Sequence, residues 1–162
     1  MTCSFTGHRQ IPPECRTALT ALVDRAIEYA YSEGYRTFMC GGALGFDTIA
    51  AKEVIRFRMT HSDVRLLLIL PCVEQDANWS KIQKNAYNFT LESADEIVYT
   101  SDTYTKSCMS VRNRYLAENC DMLIAYVGRS NSGSAQTVRM AQRCGKRIYN
   151  LYQATQKAPG KE

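Results

Sequence analysis

The chain has 162 residues, 45% of them hydrophobic and 22% charged, and carries a net charge of +4 from 20 Lys and Arg against 16 Asp and Glu. That length suffices for one domain with a real hydrophobic core and is too short to expect two. The mild positive balance favours anionic partners, and with no block of five or six like charges it excludes a basic nucleic-acid-binding arm.

Residues 2–6 read as a short buried strand. Gly7-His8-Arg9 turns the chain, and Pro12-Pro13 opens a helix, because proline is tolerated in a first turn. Leu19, Leu22, Val23, Ala26, Ile27 and Ala30 follow the 3.6 period, so residues 14–32 form an amphipathic helix with Gly34 as its C-cap. Residues 35–40 are a second strand and 46–58 a second helix. Residues 64–71 are nearly all apolar, as a central strand covered on both faces is. Then come a helix over 79–92, a strand over 96–100, a helix over 107–119 and a strand over 121–127. A loop of glycine, serine and asparagine spans 128–133. It is followed by a helix over 134–144, ended by Gly145, and a sixth strand over 147–151. Beyond 153 the chain is polar, contains Pro159-Gly160, and is expected to be a flexible tail.

Strand and helix alternate throughout. That pattern predicts a three-layer α/β, Rossmann-like domain over residues 1–153, with a mainly parallel sheet and helices on both faces. The first residues enter a strand directly, so no signal peptide is expected, and the longest apolar run, 66–70, is too short to span a bilayer. The seven cysteines are far apart and lack zinc-ligand spacing, which predicts reduced thiols, no metal and a cytoplasmic protein.

In folds of this class ligands bind beyond the C-terminal ends of the strands. The unusual residues cluster at those ends. Gly41-Gly42-Ala43-Leu44-Gly45-Phe46-Asp47 follows the second strand and opens a helix, which suits a phosphate cradle or simply a tight strand–helix turn. Asp47 either bonds a ribose hydroxyl or favours the positive end of the helix dipole. At the first strand end, Arg9 suits a bidentate phosphate clamp and His8 a ligand hydrogen bond or proton transfer near neutral pH. Their other reading is a turn tied to neighbouring backbone. Gln75 and Trp79 share a face if a helix begins near Gln75, and Trp79 either stacks on a base or caps the core. Arg112 and Arg114, two apart, cannot both face one site. Gly133-Ser134-x-x-Thr137 opens the last helix, with Ser134 as N-cap, as contact to a second phosphate or ribose, or as both.

Taken together, these segments resemble the YpsA-like family of the SLOG superfamily, related to the LOG phosphoribohydrolases and to the DNA-processing protein DprA. The resemblance rests on Ser4-Phe5-Thr6-Gly7-His8-Arg9, the run 41–47, Pro71 with Gln75 and Trp79, Arg112-Asn113, and residues 121–126 followed by Gly133-Ser134-Ala135-Gln136-Thr137-Val138. It implies a Rossmann-like domain that binds a nucleotide or nucleotide-derived small molecule such as an ADP-ribose-like one, and it admits a homodimer. The family match makes Arg112 the second phosphate-binding candidate. Gly41, Gly42, Ala43 and Gly45 would bring amides to the phosphates, Arg9 and Arg112 would neutralise charge, and Asp47, Gln75 or Asn113 would read ribose or base. No separate cofactor is expected.

One departure stands out. Where the family carries a Gly-Gly-Thr run, this chain has Ser132-Gly133-Ser134. LOG relatives also follow that loop with Thr and a catalytic Glu, whereas residues 133–139 here hold no carboxylate, which argues against N-glycosidic hydrolysis. DprA-like single-stranded DNA binding is disfavoured by the modest charge and by the lack of aromatics interleaved with a basic stripe.

Overall fold

The alternation of strand and helix is realised in the computed structural model, which describes residues 1–157. In chain order the elements are β1 (Thr2–Gly7), a 3-10 turn (Pro13–Cys15), α1 (Arg16–Ser32), β2 (Thr37–Cys40), α2 (Phe46–Arg58), β3 (Arg65–Leu70) and α3 (Lys81–Ser93). They continue with β4 (Glu96–Tyr99), α4 (Cys108–Glu118), β5 (Met122–Tyr126), α5 (Gly133–Arg143), β6 (Arg147–Asn150) and the short α6 (Tyr152–Gln156). The strands form one six-stranded sheet in the order β4-β3-β2-β1-β5-β6, with every neighbour parallel.

Helices cover both faces. On one, Leu19, Val23 and Ile27 of α1, Ala50 and Val54 of α2, and Tyr87 of α3 pack on Phe5, Phe38, Leu66 and Leu68. On the other, Leu116 and Ala117 of α4 and Ala141 of α5 pack on Met39, Ile69 and Leu123. Leu66, Leu68 and Leu70 are fully buried. Each contributes roughly 1.5–3 kcal/mol relative to exposure, and after the exposed Arg65 the strand is apolar from 66 to 70, as a strand covered on both faces is.

The chain steps outward from β1 to β4, then crosses back over β1 to add β5 and β6 on the other side. Strand order therefore reverses between β1 and β5, and the connections leaving these two strands diverge to opposite faces, opening a crevice at their C-terminal ends. β1 and β5 are in register from Cys3 opposite Met122 to Gly7 opposite Tyr126, so both end at that crevice.

Two expectations change. The helix predicted over 79–92 starts instead at Lys81, because Ser80 and Gln83 form a capping box: Ser80 Oγ accepts the Gln83 N–H at 3.2 Å and Gln83 Oε1 accepts the Ser80 N–H at 2.9 Å. Trp79 and Gln75 thus precede the helix and share no helical face. The tail expected to fray after 153 continues in α6, where Thr155 is buried; the rest of that segment, 158–162, lies outside the described residues. All seven cysteines are free thiols, six of them buried. No helix among the described residues is long and apolar enough to cross a membrane.

Candidate functional site

A cleft of about 470 Å³ opens at the β1/β5 reversal point. Its walls come from the loop after β1, the β2–α2 turn, α4, and the loop from β5 into α5. The β2–α2 turn is drawn tight by Gly45, the N-cap of α2, at φ 75° and ψ −116°. A Cβ there would lie 2.2 Å from the Arg9 carbonyl oxygen, so only glycine lets the turn approach the loop after β1. The Phe46 N–H, donating to the His8 carbonyl at 3.1 Å, closes this contact.

Asp47, in the first turn of α2, is buried at the base of the cleft. Its Oδ2 accepts the Ala43 N–H at 3.1 Å, and the Gly41 N–H also points at the carboxyl. The turn's own carboxylate thus occupies amides that the sequence assigned to a phosphate. Burial pushes the Asp47 carboxyl above the usual range; Arg112, the two amides and Arg9 pull it back only in part.

Arg112 reaches across from α4 and is 4% exposed. Its Nη1 donates to the Gly41 carbonyl and, at 3.5 Å, to Gln75 Oε1, and its Nε donates to Asn113 Oδ1 at 2.8 Å. Among the described residues Nη2 has only the Met109 sulfur, at 3.7 Å, and the exposed Arg9 puts its own Nη2 3.8 Å from the same sulfur. Arg129, directly after the glycine that follows β5, is exposed and lines the same cleft. Among the described residues none of these three arginines forms an ion pair; the ion pairs found involve Arg36, Arg56, Arg58, Arg65 and Arg147. Burial pulls the Arg112 guanidinium down from its ordinary value, although Asp47 supports its charge.

His8 ties the walls together. Its Nε2 accepts the Gly128 N–H at 2.8 Å, which leaves the ring proton on Nδ1 to be donated to Ser134 Oγ at 3.3 Å. Burial, with the Arg129 cation nearby, lowers the imidazole below its ordinary 6.5, so it is neutral at pH 7. At α5 the N-cap is Ser132, whose Oγ accepts the Ala135 N–H at 3.1 Å, not Ser134 as expected from sequence. Ser134 instead stands in the first turn beside His8, and the Gly133 and Ser134 N–H groups, at the positive end of the helix, have no intrahelical acceptor.

Of the residues expected at the site, Gly7, His8, Arg9, Ala43, Asp47, Arg112, Asn113, Gly133 and Ser134 line the cleft. Gly41, Gly42 and Gly45 shape the turn behind it. Gln75 is buried away from it, donating to the Gly42 carbonyl at 3.1 Å and to Tyr87 Oη at 3.3 Å. Trp79 packs edge-on to Tyr87 at 5.1 Å, against the main core. Thr137 is fully buried and donates to the Gly133 carbonyl at 3.0 Å. These three have structural partners and do not face the cleft. Thr6, Gln10, Met109, Leu116, Arg129 and Ser132 line the cleft as well and are not among the residues expected there. For Arg129 the signal was position alone, at the C-terminal end of a central strand.

A larger groove, about 610 Å³, runs between α1 and α2; Arg16 and Lys52 line it, and its Arg56 pairs with Asp24 at 2.8 Å and with Glu53 at 2.7 Å. Among the described residues no group of three His, Cys, Asp or Glu side chains is placed to hold a metal ion.

The model of the YspA SLOG family matches residues 12–157 of the chain. A UPF0398 protein of Halalkalibacterium halodurans is 30% identical over 108 residues, which is 63% of this chain and 55% of that relative. The SPbeta prophage-derived protein YoqJ of Bacillus subtilis is 26% identical over 148 residues, covering 83% of this chain and 85% of its own length. Among solved structures, DNA processing protein A of Streptococcus pneumoniae superposes with a TM-score of 0.66 at 17% identity, over 92% of this chain and 49% of that one. DNA processing protein A of Helicobacter pylori gives 0.62 at 19% identity, over 91% and 63%. These two likenesses are of fold.

Proposed function

Because the chain belongs to the YspA SLOG family, we propose that it binds a nucleotide or nucleotide-derived small molecule, of the ADP-ribose kind, at the β1/β5 cleft. The observation that carries this reading is the convergence of Arg9, Arg112 and Arg129 on one cleft with no ion-pair partner, opposite the first turn of α5. The Arg112 guanidinium is buried with support from Asp47 but forms no ion pair among the described residues, and a phosphate would offset the cost of burying it with charge-assisted hydrogen bonds. The anion then sits nearer α5 and the three arginines than the β2–α2 turn, whose amides Asp47 already holds.

The test is a thermal-shift series with ADP, ADP-ribose, NAD and pyrophosphate, followed by titration calorimetry. A ligand at a hundredfold its Kd adds about 2.7 kcal/mol and raises Tm measurably. An unchanged Tm across the series overturns the reading.

A second reading draws on the fold shared with Helicobacter pylori DNA processing protein A, whose structure is described as showing a single-stranded DNA binding mode. Strand binding predicts oligonucleotide affinity that falls steeply with salt. Hydrolysis is the least supported, since among the described residues Asp47 is the one carboxylate lining the cleft and it serves the turn. Incubation with AMP and detection of released base or ribose phosphate would decide it.

A further inference from the structure

A second cavity of about 370 Å³ adjoins the cleft, and the two share His8, Gln10 and Arg129 as a common wall. Its character differs. The floor is Ile11, Cys15 and Tyr126, all buried, and the sides are Pro12 and Tyr152. Its polar side chains are the shared His8, Gln10 and Arg129, with Gln156 on the far side. The aromatic wall is held rigidly. Tyr152 lies 5.2 Å from Tyr126 and edge-on to His8 at 6.3 Å, and its ring sits so close to Gly128 that a Cβ there would be 2.2 Å from it. Gly128 is also the residue whose N–H anchors His8, so one short segment sets both the dividing wall and the aromatic side.

We infer that this pocket seats the base of a nucleotide whose phosphates occupy the cationic cleft. This rests on the anion-site reading above and narrows its ligand to one with a flat aromatic ring beyond the phosphates, a nucleoside diphosphate or its ester rather than a phosphorylated sugar. Three features support it. The pocket is apolar and aromatic where the neighbouring cleft is cationic, the division a nucleotide presents. Arg129, on the shared wall, is placed to serve a phosphate on one side and a ring face on the other. Gln10 and Gln156 supply amides at the rim, and amides pair with the donor and acceptor edges of bases. Together the two cavities have the size of a small-molecule site, well beyond what a lone phosphate fills.

Calorimetry on the full chain with ADP, ribose 5-phosphate and pyrophosphate tests this. ADP should bind at least tenfold more tightly than pyrophosphate, and ribose 5-phosphate should gain little. Gln156→Trp, at an exposed position, fills the pocket mouth; it should abolish the tenfold gain and leave pyrophosphate affinity unchanged. In the unsubstituted protein, photolabelling with 8-azido-ADP should mark residues 10–12 or 152–156. Pyrophosphate binding with no gain for ADP, or labelling elsewhere, for example near Trp79, overturns the base pocket and leaves the anion site standing. Failure of both ADP and pyrophosphate to bind overturns the anion site, and this inference with it.

Discussion

Two acidic or basic side chains at the cleft have opposite assignments that substitution separates. Arg9 is exposed and makes no ion pair, so Arg9→Ala should leave stability nearly unchanged while removing a charged hydrogen bond to bound phosphate, worth about 1.5–3 kcal/mol in affinity. Asp47→Asn keeps an oxygen for the Ala43 N–H but removes the negative charge beneath the site. Calorimetry should show unchanged or tighter binding of ADP; a hydrolase using Asp47 would instead lose turnover. His8 adds a pH dependence. Its folded pKa lies below 6.5, so between that value and 6.5 the unfolded chain binds the extra proton and acid weakens the fold; above 6.5 the contribution is constant. Asp47, raised, works the other way in its own window, gaining stability as pH falls. Denaturant midpoints of the wild type should therefore fall between pH 7.5 and 5.5 by more than those of His8→Gln.

At the level of elements, the sequence period located all six strands and helices α1 to α5 within a few residues, because buried strands and amphipathic helices write their packing directly into side-chain order; the five-residue α6 lies in the segment expected to be a flexible tail. The end of α3 nearest the site was less legible. Ser80 and Gln83 carry a capping-box signature that places the helix start after Trp79. Read as helical, Gln75 and Trp79 looked like a paired ligand face; placed in the preceding loop, one bonds backbone and the other packs on Tyr87. The turn into α2 was legible through its glycines, but not the direction of Asp47, which depends on how tightly the turn closes. Gly45→Ala probes that closure. It forces a side chain into φ 75° and against the Arg9 carbonyl, and should cost at least about 1–3 kcal/mol in unfolding free energy, with weaker ligand binding as the loop after β1 is displaced.

For the whole molecule, alternation alone predicted the layers, whereas the strand order that creates the crevice is a long-range property. Residues 2–7 and 122–126 become neighbours only because the chain crosses back over β1. Arg129 illustrates the limit: no motif marks it, and it joins Arg9 and Arg112 only once β5 lies beside β1. The α1–α2 groove, larger in volume, sets two carboxylates, Asp24 and Glu53, against its Arg56, whereas among the cleft's lining residues the carboxylate is Asp47, which serves the turn.

Arg112 belongs to a helix on one face of the sheet, yet its guanidinium grips the Gly41 carbonyl at the end of a central strand. It is a single hand on two tasks. An anion that draws it forward must compete with its hold on the β2–α2 turn, so occupancy and the tightness of that turn are set against each other. The protein would then announce its ligand in the amide-exchange rates of residues 41–45, on a segment that need not touch the ligand at all.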